Sequence, residues 1–422
     1  MSSKLHRERN TAAGAIGNVL EWYDFALFGF LAPIMSPLFF PDSDALVGLI
    51  KTYGVFAAGY LMRPLGGMVF GFIGDRLGRV KALRLSVAMM AIPTMLVGIL
   101  PTYEQVGAWA AALLIILRLI QGISVGGELV GSMTYLVETA DKTRRGLTGS
   151  WSLFGASFGI LLGSAVVSVL TDNVSSEAMT QWGWRAAFLS GGILFIIGLW
   201  LRSDMDADLA ADAEPKEEGN PVWEVLTKMP GQLIQLSLIL LVFASGFYTL
   251  FIWMPTYLGH ILPNPIDHAD DINNIATIVL IIFIPIFGWL SDRIGFKPVI
   301  LTGMTLFLVA IVPMFVWVDH GQFSHALIAT ALMACVFAAI QGPMPALLVE
   351  SVPTHLRASA IGIAYNLTLG LFGGTAPMIN TYLIDKTGNL ASPGWYLLIL
   401  AAISLIVTLT LRLSPRASAS AA

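Results

Sequence analysis

The sequence contains few charged residues, a single cysteine and no recognisable nucleotide-binding loop. Charged side chains make up 12% of the 422 residues, about half the share found in a soluble domain. The one cysteine, Cys335, lies inside an apolar run, which excludes a disulfide framework and a cysteine-based metal site. The six histidines fall at the ends of apolar runs or between them, without metal-ligand spacing. Because neither a Gly-x-x-x-x-Gly-Lys-Ser/Thr loop nor a Ser-His-Asp pattern is present, we predict no enzyme activity, no metal and no cofactor.

The sequence contains many long runs of apolar residues. Hydrophobic residues make up 56% of the chain, and the mean hydropathy is +0.76. Several runs exceed the roughly 18 apolar residues that indicate a membrane-spanning helix. We therefore predict an all-α membrane protein with twelve transmembrane helices in two pseudo-symmetric six-helix bundles. The predicted spans are 12–40, 47–74, 81–100, 105–138, 147–171, 184–202, 231–259, 272–291, 298–318, 325–351, 358–384 and 393–412.

Lysine and arginine are distributed unequally between the two sides of the predicted membrane. With the N-terminus inside, eighteen of them fall in the inner segments and three in the outer ones. Since inner loops carry the excess of basic residues, we predict that both termini are cytoplasmic. The acidic stretch 203–230 lacks an apolar period, which is typical of a solvated linker. The predicted domains are an N-terminal bundle (1–202), this linker (203–230) and a C-terminal bundle (231–422).

Two short motifs occur once in each half of the chain. Gly71–Leu83 (GFIGDRLGRVKAL) recurs in altered form as Gly288–Ile300 (GWLSDRIGFKPVI), and Leu-Val-Glu-Thr before Arg145 recurs as Leu-Val-Glu-Ser before Arg357. Such a repeat indicates a transporter built from two homologous bundles. We predict a cytoplasmic ion-pair latch; the alternative is that these charges only set the topology. The latch residues would be Asp75, Arg79 and Glu138 with Arg144 or Arg145 in the first half, and Asp292, Glu350 and Arg357 in the second.

Four charged residues are predicted to lie at membrane depth, where an ionisable side chain is costly and usually functional. Glu21 and Asp24 share one face of the first span, and Arg118 and Glu128 lie on the fourth. At about 1.5 Å of rise per residue, Asp24 and Arg118 fall near the middle of the bilayer. Arg118 can bind a carboxylate bidentately, so a substrate and an internal carboxylate would compete for it, and the displaced carboxyl would take a proton. The alternative is a permanent ion pair that braces the first and fourth spans.

Several motifs resemble those of known membrane transporters. Gly71–Leu83 resembles the loop between the second and third spans of the major facilitator superfamily. Gly17–Phe25 (GNVLEWYDF), Arg63–Gly67 (RPLGG), Gln121–Glu128 (QGISVGGE) and Trp182–Arg185 (WGWR) resemble the metabolite:H+ symporter family. That family includes proline/betaine, 2-oxoglutarate, shikimate and citrate carriers. The resemblance spans the whole chain and implies alternating access with H+ as the coupling ion.

We therefore expect a secondary active transporter that imports a small carboxylate-bearing metabolite, an organic acid or a zwitterion, by proton symport. We expect the protein to be located in the bacterial cytoplasmic (inner) membrane. The alternatives are a proton-coupled efflux antiporter and a transporter-like sensor that binds without translocating. The fifth span lacks the Gly-Pro pair of drug/proton antiporters, which disfavours efflux. The repeated segments Gly71–Leu83 and Gly288–Ile300, which we call the hinge motifs, indicate a transporter that moves and disfavour a sensor. The expected partners are the substrate and the lipid bilayer, without nucleic acid, and the chain is expected to be a monomer.

The expected cargo site draws on both halves of the chain. Arg118 would hold the carboxylate, with Lys51 near the outer mouth as a second cation, and Asp24, with Glu21 or Glu128, would carry the proton. The second half has little intramembrane charge and would supply shape and neutral hydrogen bonds. The expected substrate-binding residues are Arg118, Gln121, Asn18, Tyr23, Lys51, Tyr53, Tyr248, Tyr365 and Asn366.

Overall fold

The computed structural model describes residues 2–42, 44–66, 69, 79–124, 128–203, 221–318 and 322–411. Nearly all of these residues are helical, and no β-strand occurs in these ranges. Helices are the expected result for such an apolar chain. A bilayer offers the backbone no hydrogen-bond partners, and a helix satisfies its own N–H and C=O groups.

The six helical spans of the first half follow the order of the predicted ones, and most boundaries differ by a few residues. The first helix, however, begins at Ser2 and not at residue 12, and the second is described from Ala45 to Leu61, with part of its predicted remainder outside the described ranges. The fourth span is described in two pieces, on either side of residues 125–127. The helices are Ser2–Phe39, Ala45–Leu61, Arg79–Val97, Trp109–Ser124 with Glu128–Thr139, Arg145–Asn173, and Trp184–Ser203. We number them as the first to sixth spans.

Six further spans make up the second half, after a short helix at Pro221–Lys228. They are Pro230–Tyr248 continuing to Ile261, Ala269–Ile294, Phe296–Val318, Phe323–Gln341 with Met344–Glu350, Arg357–Thr368 with Ala376–Thr387, and Ser392–Thr410. Within the described ranges, nine helical stretches are long and apolar enough to cross a membrane by length and composition. The predicted all-helical, twelve-span architecture is confirmed.

Turns of π-helix interrupt two spans of the second half. The seventh span contains them at Thr249–Trp253 and Tyr257–Ile261, and the eleventh at Leu369–Gly373. Each π turn fits an extra residue into the helix and redirects the side chains beyond it, and such turns are frequent at functional sites. The turns at Thr249 and Leu369 begin beside residues that line the centre of the molecule.

The fifth span packs closely against both halves, and glycine makes this packing possible. A Cβ atom on Gly159 would lie 2.3 Å from the carbonyl oxygen of Val19 in the first span. A Cβ atom on Gly146 would lie 2.4 Å from the carbonyl oxygen of Gly288 in the eighth span. Small residues allow helix backbones to approach in this way. The second hinge motif, which begins at Gly288, therefore lies directly against the start of the fifth span.

Candidate transport site and gates

The Asp24 carboxylate lies inside the first half, where the third and fourth spans supply its partners. Thr94 Oγ1 donates a hydrogen bond to Oδ1, and Gln121 Nε2 donates one of 2.9 Å to Oδ2. Gln121 Nε2 also lies 2.8 Å from Thr94 Oγ1. Arg118 Nη1 is 3.7 Å from Asp24 Oδ2. The structure thus brings together Asp24, Arg118 and Gln121, three of the predicted site residues, at one buried point.

Arg118 is enclosed by its own half of the chain. Its side chain is 1% exposed, and its guanidinium carbon lies 4.0 Å from the centre of the Phe28 ring. None of its three nitrogens makes a hydrogen bond within the described part of the chain. A buried guanidinium with unused donors is costly unless a nearby charge offsets its desolvation. Asp24 supplies that charge at 3.7 Å, so the cost of keeping the Arg118 charge buried depends on whether Asp24 is ionised.

Glu21 is paired with an arginine other than Arg118. Its Oε1 accepts a short, charge-assisted hydrogen bond from Arg63 Nη2, and both side chains are at most 4% exposed. The Arg63 guanidinium carbon lies 4.8 Å from the ring centre of Tyr60, 5.3 Å from that of Phe25 and 5.7 Å from that of Trp22. Aromatic faces attract a cation at these distances. The internal carboxylate beside Arg118 is therefore Asp24 and not Glu21.

A narrow space lies between the two halves at the centre of the molecule. It amounts to about 220 Å³ of space between side chains, none of it wide enough for a water molecule. Tyr248 and Tyr365, both predicted site residues, line it; Trp22 and Gln341 do so as well but were not predicted. The full lining is Trp22, Leu153, Ala156, Phe243, Ala244, Phe247, Tyr248, Gln341, Tyr365 and Leu369.

Polar atoms in the wall of this space have no hydrogen-bond partner among the described residues. They are Trp22 Nε1, Tyr248 Oη, Gln341 Oε1 and Tyr365 Oη. A buried polar atom without a partner costs about 1–3 kcal/mol, and native structures keep few of them. Four such atoms around one space make it a candidate site for a polar ligand.

Two predicted substrate residues connect helices within the first half instead. Asn18 Nδ2 donates to the Ser152 carbonyl at 3.1 Å and to Ser132 Oγ at 3.3 Å. Tyr23 Oη lies 2.7 Å from Ser190 Oγ. These bonds tie the first span to the fourth, fifth and sixth, so Asn18 and Tyr23 brace the bundle and do not line the central space.

Two other predicted residues, Lys51 and Asn366, also lie away from the central space. Lys51 is 49% exposed and paired with Asp42, so the second buried cation is Arg63 and not Lys51. Asn366 Nδ2 donates to the Gly362 carbonyl of its own helix at 3.0 Å. Glu128 begins the second piece of the fourth span, and its side chain lies outside the described parts.

Ion pairs join the two halves at the end of the molecule where the fifth span begins, which we call the gate end. Arg357 Nη1 donates to Glu138 Oε1 at 2.8 Å, and Arg145 Nη1 donates to Glu350 Oε1. The predicted pairing within the first half is therefore wrong for Glu138 and Arg145, because each pairs with the equivalent motif of the other half. Asp75 lies outside the described residues, as does the side chain of Arg79.

Asp292 closes the gate end in a different way. Its carboxylate accepts hydrogen bonds from the backbone N–H groups of Gly146 at 2.6 Å and Leu147 at 2.9 Å. These N–H groups belong to the first turn of the fifth span, where unpaired donors and the helix dipole favour a negative charge. Arg144 is the residue before this turn. The carboxylate of one half thus caps a helix of the other.

The opposite end of the molecule is closed mainly by neutral groups. Tyr53 Oη lies 2.7 Å from Thr256 Oγ1, which links the second span to the seventh. Asn274 Nδ2 donates to Ser168 Oγ at 2.9 Å, which links the eighth span to the fifth. Tyr53 therefore belongs to the closure of this end and not to the lining of the central space. Among the described residues, contacts between the two halves are thus present at both ends of the molecule.

Twelve helical spans around a narrow central space, with contacts between the two halves at each end, define a multi-pass membrane transporter and not an enzyme. The chain belongs to the Major Facilitator Superfamily, which matches residues 14–262 and 271–422. It is 34% identical over 415 residues to the proline/betaine transporter of Escherichia coli (strain K12), covering 95% of this chain and 82% of the relative.

A further relative and two solved structures agree with this assignment. The ectoine/proline transporter ProP of Corynebacterium glutamicum is 35% identical over 412 residues, covering 92% of this chain and 81% of that protein. The proton:xylose symporter XylE bound to 6-bromo-6-deoxy-D-glucose has a TM-score of 0.74 at 20% identity, covering 96% of this chain and 95% of that one. The inward-open conformation of XylE from E. coli has a TM-score of 0.70 at 20% identity, with 96% of each chain covered. The fold is that of a secondary transporter.

Proposed function

We propose that the protein imports a small carboxylate-bearing molecule by proton symport. The observation that carries the proposal is the buried Asp24 carboxyl, which accepts hydrogen bonds from Thr94 and Gln121 and lies 3.7 Å from Arg118. Burial favours the neutral form of a carboxyl, whereas a nearby cation and hydrogen-bond donors favour the charged form. A group balanced between the two forms is suited to taking up and releasing a proton.

Asp24 and Arg118 would couple the proton to movement because both lie in one bundle. When Asp24 is charged, its attraction to Arg118 draws the first and fourth spans together. Protonation removes this attraction, and the packing of the bundle around the central space changes. A proton and a cargo molecule that bind the same conformation then shift the population toward it together. In symport, this shared preference for one conformation couples the movement of the proton to that of the cargo.

The charges near the centre favour a cargo with no net charge. Arg63 and Arg118 face Glu21 and Asp24, so two guanidinium groups balance two carboxylates. A di- or tricarboxylate would add negative charge that no further buried cation of the described residues offsets. A zwitterion adds none. The relatives' names, which include proline, betaine and ectoine, agree with a zwitterionic cargo.

We propose that the gate end faces the cytoplasm of a bacterial inner membrane. Arg144, Arg145, Arg357 and Lys297 lie at this end, as expected for the inner side of a membrane protein. Both termini would then be cytoplasmic.

Uptake into proteoliposomes under an imposed pH gradient tests the proposal, with glycine betaine or proline as the probe. Asp24→Asn should abolish accumulation against a gradient, because an amide cannot exchange the proton. Downhill exchange of labelled for unlabelled cargo should persist, since it requires binding and movement without net proton transfer. Asp42→Asn, which alters an exposed carboxylate at the opposite end, is the matched control and should accumulate cargo normally.

Two results would overturn the proposal. One is uphill uptake by Asp24→Asn at the wild-type level. The other is accumulation driven by a sodium gradient at constant pH but not by a proton gradient.

A further inference from the structure

The central space is lined by aromatic rings and by no formal charge. Five of its ten lining side chains are aromatic, and none of the ten is ionised at neutral pH. A cation that enters this space therefore meets aromatic rings and not a carboxylate. Because ring faces attract cations through their negative quadrupole, the lining is suited to the positive end of a cargo molecule.

Three of these rings contact one another across the boundary between the halves. Trp22 belongs to the first span, and Phe247 and Tyr248 belong to the seventh. The ring centres of Trp22 and Phe247 are 5.4 Å apart at 90°, and those of Phe247 and Tyr248 are 5.7 Å apart at 87°. In such edge-to-face contacts, the positive edge of one ring lies on the negative face of its neighbour. The space is narrow because these rings cover one another's faces.

A quaternary ammonium group can take the position of a ring edge. Its positive charge is spread over its methyl hydrogens, so it offers a ring face the same kind of surface that the edge of another ring does. Its entry would replace a contact between two rings by a contact between a ring and a cation. Because Trp22 lies in one half and Phe247 in the other, entry would also separate the halves at this point.

Hydrogen atoms on the cargo nitrogen are a second criterion for selection. A buried N–H group without an acceptor is costly, and ring faces are poor acceptors. Gln341 Oε1 lines the space and has no partner among the described residues. It is an acceptor that cannot also donate. One N–H can be paired there, whereas a second or third N–H on the same nitrogen cannot.

We propose that the central space selects a zwitterion whose cationic nitrogen carries at most one N–H. The nitrogen lies on the faces of Trp22, Phe247 and Tyr248, and Gln341 accepts the N–H where one is present. Trp22 Nε1 and Tyr365 Oη, which lack partners among the described residues, donate to the cargo carboxylate. The inference rests on the proposed function and adds which cationic nitrogen the carrier prefers.

The first arm of the test concerns the ring faces. It compares glycine betaine with 3,3-dimethylbutanoate, in which carbon replaces the charged nitrogen, by isothermal titration calorimetry on the purified full-length protein at constant pH. The wild type should bind betaine roughly 100-fold more tightly. Phe247→Leu keeps an apolar side chain but removes the ring, and should reduce this preference about tenfold. Phe337→Leu is the matched control, because the Phe337 ring lies 6.4 Å from that of Phe247 without lining the space; it should keep the preference.

The second arm concerns the N–H groups. The probes are N,N-dimethylglycine, with one N–H, and glycine, with three. The wild type should bind N,N-dimethylglycine within about tenfold of betaine, and glycine roughly 100-fold or more below betaine. Gln341→Leu should weaken N,N-dimethylglycine about tenfold and leave betaine nearly unchanged, since betaine has no N–H to donate. A merely structural role of Gln341 would weaken both probes equally.

Three results would overturn the inference. They are glycine binding by the wild type as tight as that of betaine, an unchanged betaine preference in Phe247→Leu, and equal weakening of betaine and N,N-dimethylglycine in Gln341→Leu. The first of these needs no variant, so the inference can be tested even if a substitution prevents folding.

Failure of the inference is separable from failure of the proposed function. Asp24→Asn should keep the ranking of the four probes while it loses uphill uptake. Equal binding of all four probes, combined with loss of uphill uptake in Asp24→Asn, would overturn the selection by nitrogen and leave proton symport standing.

Discussion

The interior of the first half holds its ion pairs within one bundle, whereas the gate end holds its ion pairs between two. The pairs made by Arg63 and Arg118 are at most 5% exposed. At the gate end, the Arg357 and Glu138 side chains are 15% and 35% exposed, and those of Arg145 and Glu350 are 24% and 11% exposed. Removing one partner of a buried pair costs about 3–5 kcal/mol, whereas a pair that water reaches contributes less, down to about 0.2–1 kcal/mol for an exposed one.

This difference matches what each region has to do in a transport cycle. A contact between bundles must break whenever that end opens, so it has to be weak enough for thermal motion to break it. A contact within one bundle need not break, and it changes only when a proton or a ligand replaces one partner. The buried pairs are therefore suited to sensing cargo and proton, and the gate pairs to holding a closed end briefly.

The largest effect should come from breaking a buried pair. Arg63→Met leaves Glu21 among aromatic rings without its guanidinium, and we expect a loss of about 3–5 kcal/mol in stability. Arg357→Met removes an equal charge at the gate end and should cost about 0.2–1 kcal/mol. Thermal unfolding of the purified proteins in detergent, followed by intrinsic fluorescence, gives the ranking. Equal shifts of the unfolding temperature would contradict the contrast between the two regions.

A smaller effect is expected where a neutral group supports a buried charge. Gln121→Leu removes the bonds that Gln121 donates to Asp24 and Thr94. Since a hydrogen bond to a charged group contributes about 1.5–3 kcal/mol, proton-driven uptake should fall roughly 10- to 100-fold. Initial rates under a fixed pH gradient measure it. The matched variant Thr94→Val should also slow uptake, because it removes the other donor to Asp24; normal rates in both variants would show that these donors do not matter.

Much of the fold could be predicted from the sequence, because membrane insertion depends on local composition. Runs of apolar residues locate each span without reference to any other span. The depth of Asp24 and Arg118 follows from counting residues along two helices, and the structure places these two side chains together. The two repeated Glu/Arg motifs were likewise visible, and they do lie at one end.

The choice of partner could not be predicted in the same way. Which arginine meets Glu21 depends on how the first and second spans rotate about their axes, and hydropathy does not determine that rotation. Arg63 was visible as a charge inside a span, and such a charge requires a partner, but three carboxylates were available. Gln341 carries no charge or motif that would distinguish it. The exchange of gate pairs between the halves depends on how the bundles meet.

The neutral closure at the opposite end should respond less than the buried pairs do. Tyr53→Phe removes the contact with Thr256 and should cost about 0.5–1.5 kcal/mol. No formal charge is involved, so the effect should be the same at low and high salt. A double-mutant cycle with Thr256→Val, read out as thermal stability at two ionic strengths, measures the coupling. Coupling that fell in high salt would show that charge holds this end as well.

The smallest effect is expected for the Glu138–Arg357 pair at the gate end, and it should depend on the salt concentration. Glu138→Gln removes the partner of Arg357, so the gate end should open roughly two- to fivefold more often. The readout is the alkylation rate of Ser150→Cys, which lies against Gly288 between the halves, in a Cys335→Ser background. High salt should raise the rate in the unaltered gate, because it screens the exposed pair, and should change it little in Glu138→Gln.

The charge exchange Glu138→Arg/Arg357→Glu keeps the pair with its direction reversed and should return the rate toward the starting value. If the exchanged variant stayed as open as Glu138→Gln, this pair would not be what holds the gate end closed. The remaining contacts there are the Arg145–Glu350 pair and Asp292 of the eighth span, which caps the fifth.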